Sequence, residues 1–240
     1  MQKTSALYKS IIATEPHWFE TYITVNGNTV NEDEIFSLDR SRPGMSQNIP
    51  TVGGALASTL KLTMIYPSYD IPKMGEIKVF YRAKDATRTS EWLPAGTYYI
   101  DTRARNQSYN GIDTLTVEAF DAMMRAEADY PNTDHDWPYP DRGVVAEIAA
   151  QIGVTVDSRT YQFLTARYPV ELPTGYVMRE VLEHIAAANG GNFVITAENK
   201  LLFVPLYGLD PEEDLTGSYL AVEGSTDAIT FGNEGWYILV

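Results

Sequence analysis

Between residues 57 and 119 the chain is a succession of short alternating segments, and this pattern constrains the fold more than any other feature. Segment 57–66 places apolar residues at every second position, which is the period of a half-buried strand. Segments 75–83, 92–100 and 114–119 are also interpreted as strands, and a hairpin tip is predicted at 106–111. Short strands separated by turn residues are typical of an antiparallel barrel or sandwich.

The first fifty residues add further short elements. A helix is predicted over 5–14, where Pro16 ends it, and an alternating strand follows over 17–25. The sequence Asn26-Gly27-Asn28 is a strong turn signal and predicts a hairpin. Residues 31–40 are interpreted as a short strand or connector. Residues 41–54, rich in Pro, Gly and Ser, are interpreted as a loop.

After residue 120 the apolar period changes from two to about 3.6. Helices are predicted over 121–129, 142–152 and 176–188, with Thr174 as a candidate N-cap of the third. A Pro-rich loop is predicted over 130–141. A hairpin is predicted from strands over 192–196 and 201–206, and final strands over 219–222, 228–231 and 236–240.

The sequence therefore predicts an α+β fold. We expect an antiparallel β-barrel-like tube domain formed by residues 1–117 and 206–240, because the final strands could complete the first sheet. Residues 118–205 are expected to form an inserted helical α+β subdomain with three helices and a β-hairpin. The apolar ending at 236–240 predicts that further residues follow it, because natural termini are more often polar.

The amino-acid composition and the net charge exclude several classes of function. The chain has no cysteine, which excludes disulfides, thiol catalysis and thiolate metal sites. No apolar run approaches the roughly 20 residues that span a bilayer, and no secretory signal is recognised, so no membrane partner is expected. The net charge of −14 is concentrated in the second half of the chain. This acidity disfavours adhesion to DNA; it fits either a solvated surface or one past which DNA must slide.

The best cluster of polar ligands is Asp134-His135-Asp136-Trp137. Adjacent residues do not converge on one metal ion without a sharp loop, and no second ligand stands at helical spacing nearby. We therefore expect a solvated loop with Trp137 beneath it. His17 is isolated, and His184, four residues after Glu180, is expected to form a surface pair with that carboxylate.

Carboxylates offer the remaining route to catalysis. Glu91, Asp101, Asp113 and Glu118 lie near predicted strand ends, and hydrolysis would need two carboxyls about 5–10 Å apart in a cleft. With 32 acidic residues, neighbours arise by chance. Motifs for serine hydrolases, P-loops and dinucleotide binding are missing from the sequence. The sequence predicts no catalytic, cofactor-binding or metal-binding residues, no cofactor, and a protein that is not an enzyme.

Three stretches carry a family resemblance over roughly residues 57–206: Ser-Glu-Trp-x-Pro-x-Gly-x-Tyr-Tyr-Ile-Asp at 90–101, Leu-Thr-Val-Glu-Ala-Phe-Asp-Ala-Met-Met at 115–124, and Tyr-x-x-Arg-Glu-Val-Leu-x-x-Ile-Ala-Ala-Ala-Asn-Gly-Gly-Asn-Phe at 176–193. These stretches resemble tail hub proteins of phages and prophages of Gram-positive bacteria, which are similar to the trimeric baseplate hub of contractile tails. The motifs are structural and none of them is catalytic.

The resemblance implies a structural baseplate subunit of the virion tail, assembled in the bacterial host cytoplasm. In that family each chain carries two related β-barrels, and three chains form a ring that matches the tail tube above and the tail-tip spike below. DNA passes through the ring. Only one barrel's strands are found here, so the second barrel is expected beyond Val240.

Two other functions stay open at this point. The chain has 16 tyrosines and 4 tryptophans, and Trp92 and Trp137 could act as stacking platforms of a carbohydrate- or cell-wall-binding module of a tail-associated lysin. A hydrolase that uses paired carboxylates is the third alternative. The tyrosines by themselves reflect strand propensity as readily as interfaces.

Overall fold

The computed structural model describes residues 4–43, 51–107, 111–131, 135–164, 168–206, 230–231 and 236–237. The chain divides into two compact units, Met1–Leu206 and Tyr207–Val240. Within the second unit, the described residues form one small antiparallel pair of strands. The first unit contains the large sheet and all of the described helices.

The helices and strands have the following bounds. The α-helices are α1 (Ala6–Ile12), α2 (Asp141–Gln151), α3 (Thr160–Phe163) and α4 (Met178–Ala188), and two 3₁₀ helices span Glu32–Glu34 and Ala122–Glu127. The strands are β1 (Trp18–Val25), β2 (Asn28–Val30), β3 (Ile35–Ser41), β4 (Gly54–Leu56), β5 (Thr59–Ile65), β6 (Glu76–Lys84), β7 (Leu93–Gln107), β8 (Asp113–Phe120), β9 (Tyr139–Pro140), β10 (Thr155–Val156), β11 (Pro169–Val170), β12 (Gly191–Ile195), β13 (Lys200–Pro205), β14 (Thr230–Phe231) and β15 (Trp236–Tyr237).

Seven strands form one antiparallel sheet in the order β2-β1-β6-β7-β8-β5-β3. The sheet curls into a half-barrel, which confirms the predicted α+β, barrel-like fold. The Asn26-Gly27 turn is also confirmed: both residues have positive φ, 49° and 81°, as the twist of a two-residue hairpin requires.

The concave face of the half-barrel holds one hydrophobic core. Its largest fully buried side chains come from four different strands, and they are Ile23, Leu60, Leu62, Met64, Ile77, Tyr98 and Ile100. At one end, α1 packs against β6, and the ring of Tyr8 meets that of Tyr81 edge-on at 6.3 Å. Burial of alternate side chains on one face explains why the alternation in the sequence predicts these strands.

A second hydrophobic core lies beside the sheet. It is formed by α2, α4, the 3₁₀ helix Ala122–Glu127 and a four-stranded sheet in the order β10-β13-β12-β4. Tyr99, on β7, belongs to this core, whereas its neighbours Tyr98 and Ile100 belong to the first. The guanidinium of Arg125 lies 3.7 Å from the centre of the Tyr99 ring and also donates to the carbonyl oxygen of Ile152 at 3.0 Å. One strand of the half-barrel thus supports both cores.

Strand β4 lies partly inside the predicted loop 41–54, which is a correction to the sequence interpretation. It pairs in parallel with β12. The Asn192 side chain fixes this pairing, because its Oδ1 accepts from the Gly54 N–H at 2.7 Å and its Nδ2 donates to the Thr51 carbonyl at 2.8 Å. Because β4 has only three residues and Asn192, its hydrogen-bond partner, lies 138 residues away, the local sequence does not predict this strand.

Two helix predictions were inaccurate in detail. The segment predicted as a helix over 121–129 forms the 3₁₀ helix Ala122–Glu127, with Asp121 as its N-cap. Thr174 is not an N-cap, since α4 begins at Met178. At the start of α4 the Glu180 carboxylate accepts a hydrogen bond from the Val177 N–H at 3.1 Å, in place of the cap expected from the Thr174 hydroxyl.

Several short elements were not predicted. The interval between α2 and α4 contains α3, β10 and β11, and the predicted Pro-rich loop 130–141 contains β9, which pairs with β11. The final strands predicted at 228–231 and 236–240 include β14 and β15, which pair with each other. The strand predicted at 219–222 lies outside the described residues. The domain boundaries 1–117, 118–205 and 206–240 stay predictions.

Candidate assembly surface

The half-barrel has open edges. Within the described part of the chain, the sheet ends at β3 on one side and at β2 on the other, and β2 covers only the Ile23–Val25 part of β1. The backbone of β1 before Ile23 is therefore a sheet edge as well. An exposed edge carries a row of peptide groups that can pair with another strand, so both edges are candidate contacts for assembly.

The convex face next to the β1 edge carries a compact set of aromatic and charged side chains. Cross-strand register places Tyr22 opposite Phe80 and Glu20 opposite Arg82. The Tyr22 ring lies 5.9 Å from that of Phe80 and 5.6 Å from that of Trp92. We call Glu20, Tyr22, Phe80, Arg82, Lys84 and Trp92 the outer-face cluster.

Charge pairing fixes the geometry of the outer-face cluster. Lys84 Nζ donates to Glu20 Oε1 at 2.9 Å, and Arg82 Nε donates to Glu20 Oε2 at 2.7 Å. These hydrogen bonds, that of Lys84 first, lower the pKa of Glu20. The Arg82 guanidinium also lies 4.3 Å from the centre of the Trp92 ring.

The cluster is only partly covered. Trp92 is 39% exposed, and nearby Trp18, opposite Lys84 in the register, is 43% exposed. Aromatic residues and arginine are enriched at protein interfaces. The arrangement is suited to contact with another protein surface, and it is already ordered by its own ion pairs.

The described residues of the stretch Asp134-His135-Asp136-Trp137 make contacts with neighbouring side chains. Asp134 lies outside the described residues. His135 stacks on Tyr139 with ring centres 4.2 Å apart, and its Nε2 contacts the Glu147 carboxylate. Tyr130 donates to the same carboxylate at 2.5 Å, and Trp137 packs edge-on against Tyr130. Among the described residues no group of three or more ligands could hold a metal ion.

Three of the four carboxylates selected as catalytic candidates form hydrogen bonds or ion pairs with different neighbours. Glu91 accepts from the Ser5 hydroxyl at 2.6 Å and the Ser5 N–H at 2.9 Å, and these bonds lower its pKa. Asp113 pairs with Arg105, whose Nε lies 3.1 Å from its Oδ2. The remaining two are Glu118, 3.2 Å from Lys61 Nζ, and Asp101, exposed at a bulge in β7.

The two other histidines contact aromatic rings. His17 meets Phe19 edge-on, with ring centres 5.7 Å apart, and its Nδ1 lies 2.9 Å from the Thr14 carbonyl. His184 meets Tyr176 at 5.3 Å. The expected partner of His184, Glu180, caps the start of α4. No helix in the described part of the chain is both long and apolar enough to span a bilayer.

Sequence reasoning missed the outer-face cluster, apart from Trp92. Alternation alone places Glu20 and Tyr22 on one face of β1. It does not reveal that β6, more than fifty residues later, is the neighbouring strand that supplies Phe80 and Arg82. A cross-strand pairing signal would have been needed to find the cluster.

The fold is similar to that of two tail proteins with solved structures. One is the 43 kDa tail protein of prophage MuSo2 from Shewanella oneidensis, with a TM-score of 0.50, 14% sequence identity and coverage of 77% of this chain. The other is a tail protein from Neisseria meningitidis MC58, with a TM-score of 0.51, 14% identity and coverage of 77% of this chain. At this identity the likeness shows a shared fold.

The present chain spans about half the length of these two proteins, because the matches cover 52% and 51% of them. By sequence, no family model matches the chain, and no curated protein does. The comparisons thus establish a fold shared with these two tail proteins.

Proposed function

We propose that this chain is a structural subunit of a phage or prophage tail, a component of the virion tail with no enzymatic activity of its own. The observation that carries the proposal is the fold shared with the tail proteins of MuSo2 and Neisseria meningitidis MC58. The open edges and the outer-face cluster support it, since both suit a subunit that assembles with other chains.

More specifically, we propose a baseplate hub that joins the tail tube to the tail tip. The hub is a trimer in the complete gene product, and it contacts tube proteins on one side and tip or spike proteins on the other. Pairing through open sheet edges satisfies the unpaired peptide groups of β3 and of the first half of β1, which is the physical reason to expect a closed ring. Assembly takes place in the host cytoplasm.

The charge fits a ring through which DNA passes without adhering. The net charge of −14 repels phosphate, so the protein as a whole is expected to have a low affinity for DNA. This role predicts that the purified protein does not retard double-stranded DNA in a gel at low salt, where electrostatic binding would be strongest.

The carbohydrate-binding alternative has weaker support from the geometry. One face of Trp92 is occupied by Arg82, and Trp137 is packed among Tyr130, His135 and Tyr139. A sugar-stacking platform needs an open aromatic face. A cell-wall pull-down tests this alternative, and binding that is lost on Trp92→Ala or Trp137→Ala would favour it over the hub.

The proposal is tested by the mass and shape of the complete gene product. Analytical ultracentrifugation should give three copies per particle, and negative-stain electron microscopy should show a ring with a central opening. A full-length protein that stays monomeric at all concentrations would count against the hub. Such a result would leave the fold likeness intact.

A further inference from the structure

We propose that a groove beside α4 binds a lysine or arginine side chain presented by a partner protein. The groove has a volume of about 290 Å³, and its lining includes Asp141, Val170, Leu172, Tyr176, His184 and Ile185. It lies between α4, the start of α2 and the segment that follows β11. It is separate from the outer-face cluster, which belongs to the half-barrel.

The central observation is the Asp141 side chain. Asp141 is the first residue of α2 and is 1% exposed. Its Oδ1 accepts from the Arg142 N–H at 2.6 Å, but its buried Oδ2 has no hydrogen-bond donor within the described part of the chain. Buried carboxylate oxygens are normally paired, because loss of water without a replacement is costly. A positively charged donor would satisfy this oxygen.

The other residues that line the groove indicate which kind of side chain would bring the positive charge to Asp141. Val181 and Ile185 from α4 and Val170 and Leu172 from the opposite side make the groove mainly apolar. Lysine and arginine combine an aliphatic stem with a charged head, so one such side chain covers apolar walls and reaches a carboxylate. The volume of about 290 Å³ suits a side chain with part of its neighbours.

The charges around the groove favour a cation. Glu171 lines it together with Asp141, and no lysine or arginine of the described residues does so. The other titratable groups in the lining are His184, Tyr168 and Tyr176. The net charge of −14 adds a long-range attraction for a basic partner.

The occupant is expected to come from another protein. Residues 207–240 contain no lysine or arginine, so that part of the chain cannot supply the charged head. Around the groove, Tyr168, Leu172 and Tyr176 are 44%, 41% and 46% exposed. Exposed tyrosines and apolar residues around a pocket are typical of a protein-binding surface. The partner segment is therefore expected to carry a basic residue with apolar neighbours.

Three capped tripeptides test this inference on the 240-residue chain: acetyl-Val-Lys-Leu-amide, acetyl-Val-Arg-Leu-amide and the neutral control acetyl-Val-norleucine-Leu-amide. Each is titrated while the backbone amide signals are followed by ¹H–¹⁵N NMR. The lysine or arginine peptide should give saturable shifts at Val170 and Ile185, and the neutral peptide should bind at least about tenfold more weakly, since it leaves Asp141 unpaired.

Asp141→Asn should weaken binding of the basic peptide by a similar factor, whereas Glu118→Gln, on the half-barrel, should leave it unchanged. Equal binding of the basic and neutral peptides, or no saturable shift with any of them, would overturn the inference. This comparison uses the unaltered chain, so it decides the matter even if Asp141→Asn does not fold. The result is independent of the tail proposal, because neither self-association nor tail particles enter the measurement.

Discussion

Asp121 and Ser58 are joined by a reciprocal pair of hydrogen bonds. The Asp121 N–H donates to the Ser58 carbonyl at 3.0 Å, and Asp121 Oδ2 accepts from the Ser58 N–H at 2.8 Å. Asp121 Oδ1 also accepts from the Met123 N–H at 3.0 Å. This carboxylate fixes the point where the half-barrel ends and the second core begins, and burial raises its pKa despite these bonds.

Asp121→Ala should therefore destabilise the protein by about 2–3 kcal/mol, because it removes a helix cap and leaves the buried Ser58 N–H without its acceptor. Urea unfolding followed by circular dichroism measures the effect. Asp101→Ala, at an exposed bulge, is the matched control and should cost less than about 0.5 kcal/mol. Equal costs for the two variants would show that the Asp121 contacts do not stabilise the junction.

Gly191 is a position where a side chain cannot be accommodated. A Cβ there would lie 2.4 Å from the Val204 carbonyl oxygen and 2.5 Å from Phe203 Cζ. Gly191→Ala should cost at least about 2 kcal/mol, since a backbone atom of the paired strand must move. At Gly27, where the added atom meets nothing within 4 Å and only the positive φ opposes it, alanine should cost about 1 kcal/mol. Thermal unfolding of both variants separates the two effects.

Acid should destabilise the protein partly through Asp157. Hydrogen bonding from the Arg159 side chain is the main cause that lowers the pKa of Asp157 from 3.8 to about 2. The stabilisation is therefore complete above pH 4 and is lost as the pH falls through 2.

Asp157→Asn should make the free energy of unfolding fall less steeply between pH 4 and pH 2 than in the unaltered protein. The measurement is a series of urea unfolding curves over that interval. An identical slope for the variant would mean that the ion pair with Arg159 does not contribute to folding stability.

The open sheet edge at β3 predicts that a substitution on this strand reduces self-association. Phe36 is 58% exposed on this strand. Phe36→Lys should leave the free energy of unfolding within about 0.5 kcal/mol, because the site is exposed. It should reduce self-association of the complete gene product, because lysine on an edge strand opposes pairing. Ile112→Lys, at a 48% exposed position off that edge, is the control for sedimentation and should assemble normally.

Much of the fold follows from local sequence. The Asn26-Gly27 hairpin and the strands of the half-barrel are predicted because turn residues and alternation act over a few positions. β4 could not be predicted, since its three residues pair with a strand far along the chain.

The sites were harder to predict than the fold. The unpaired oxygen of Asp141 and the register that joins Tyr22 to Phe80 are tertiary facts without a local signature. The sequence did identify Trp92, as a candidate stacking platform, but not the Arg82 whose guanidinium lies over its ring. Contacts between distant segments decide these sites, and one sequence does not reveal them.

The central proposal is that this protein is a structural component of a phage or prophage tail. Tail particles purified from cells that encode the protein, after prophage induction, should contain its peptides by mass spectrometry at a constant ratio to the tail-tube protein. Deletion of its gene should abolish complete tails, and re-expression should restore them. Normal tails that lack the protein, formed in cells that produce it, would contradict the account.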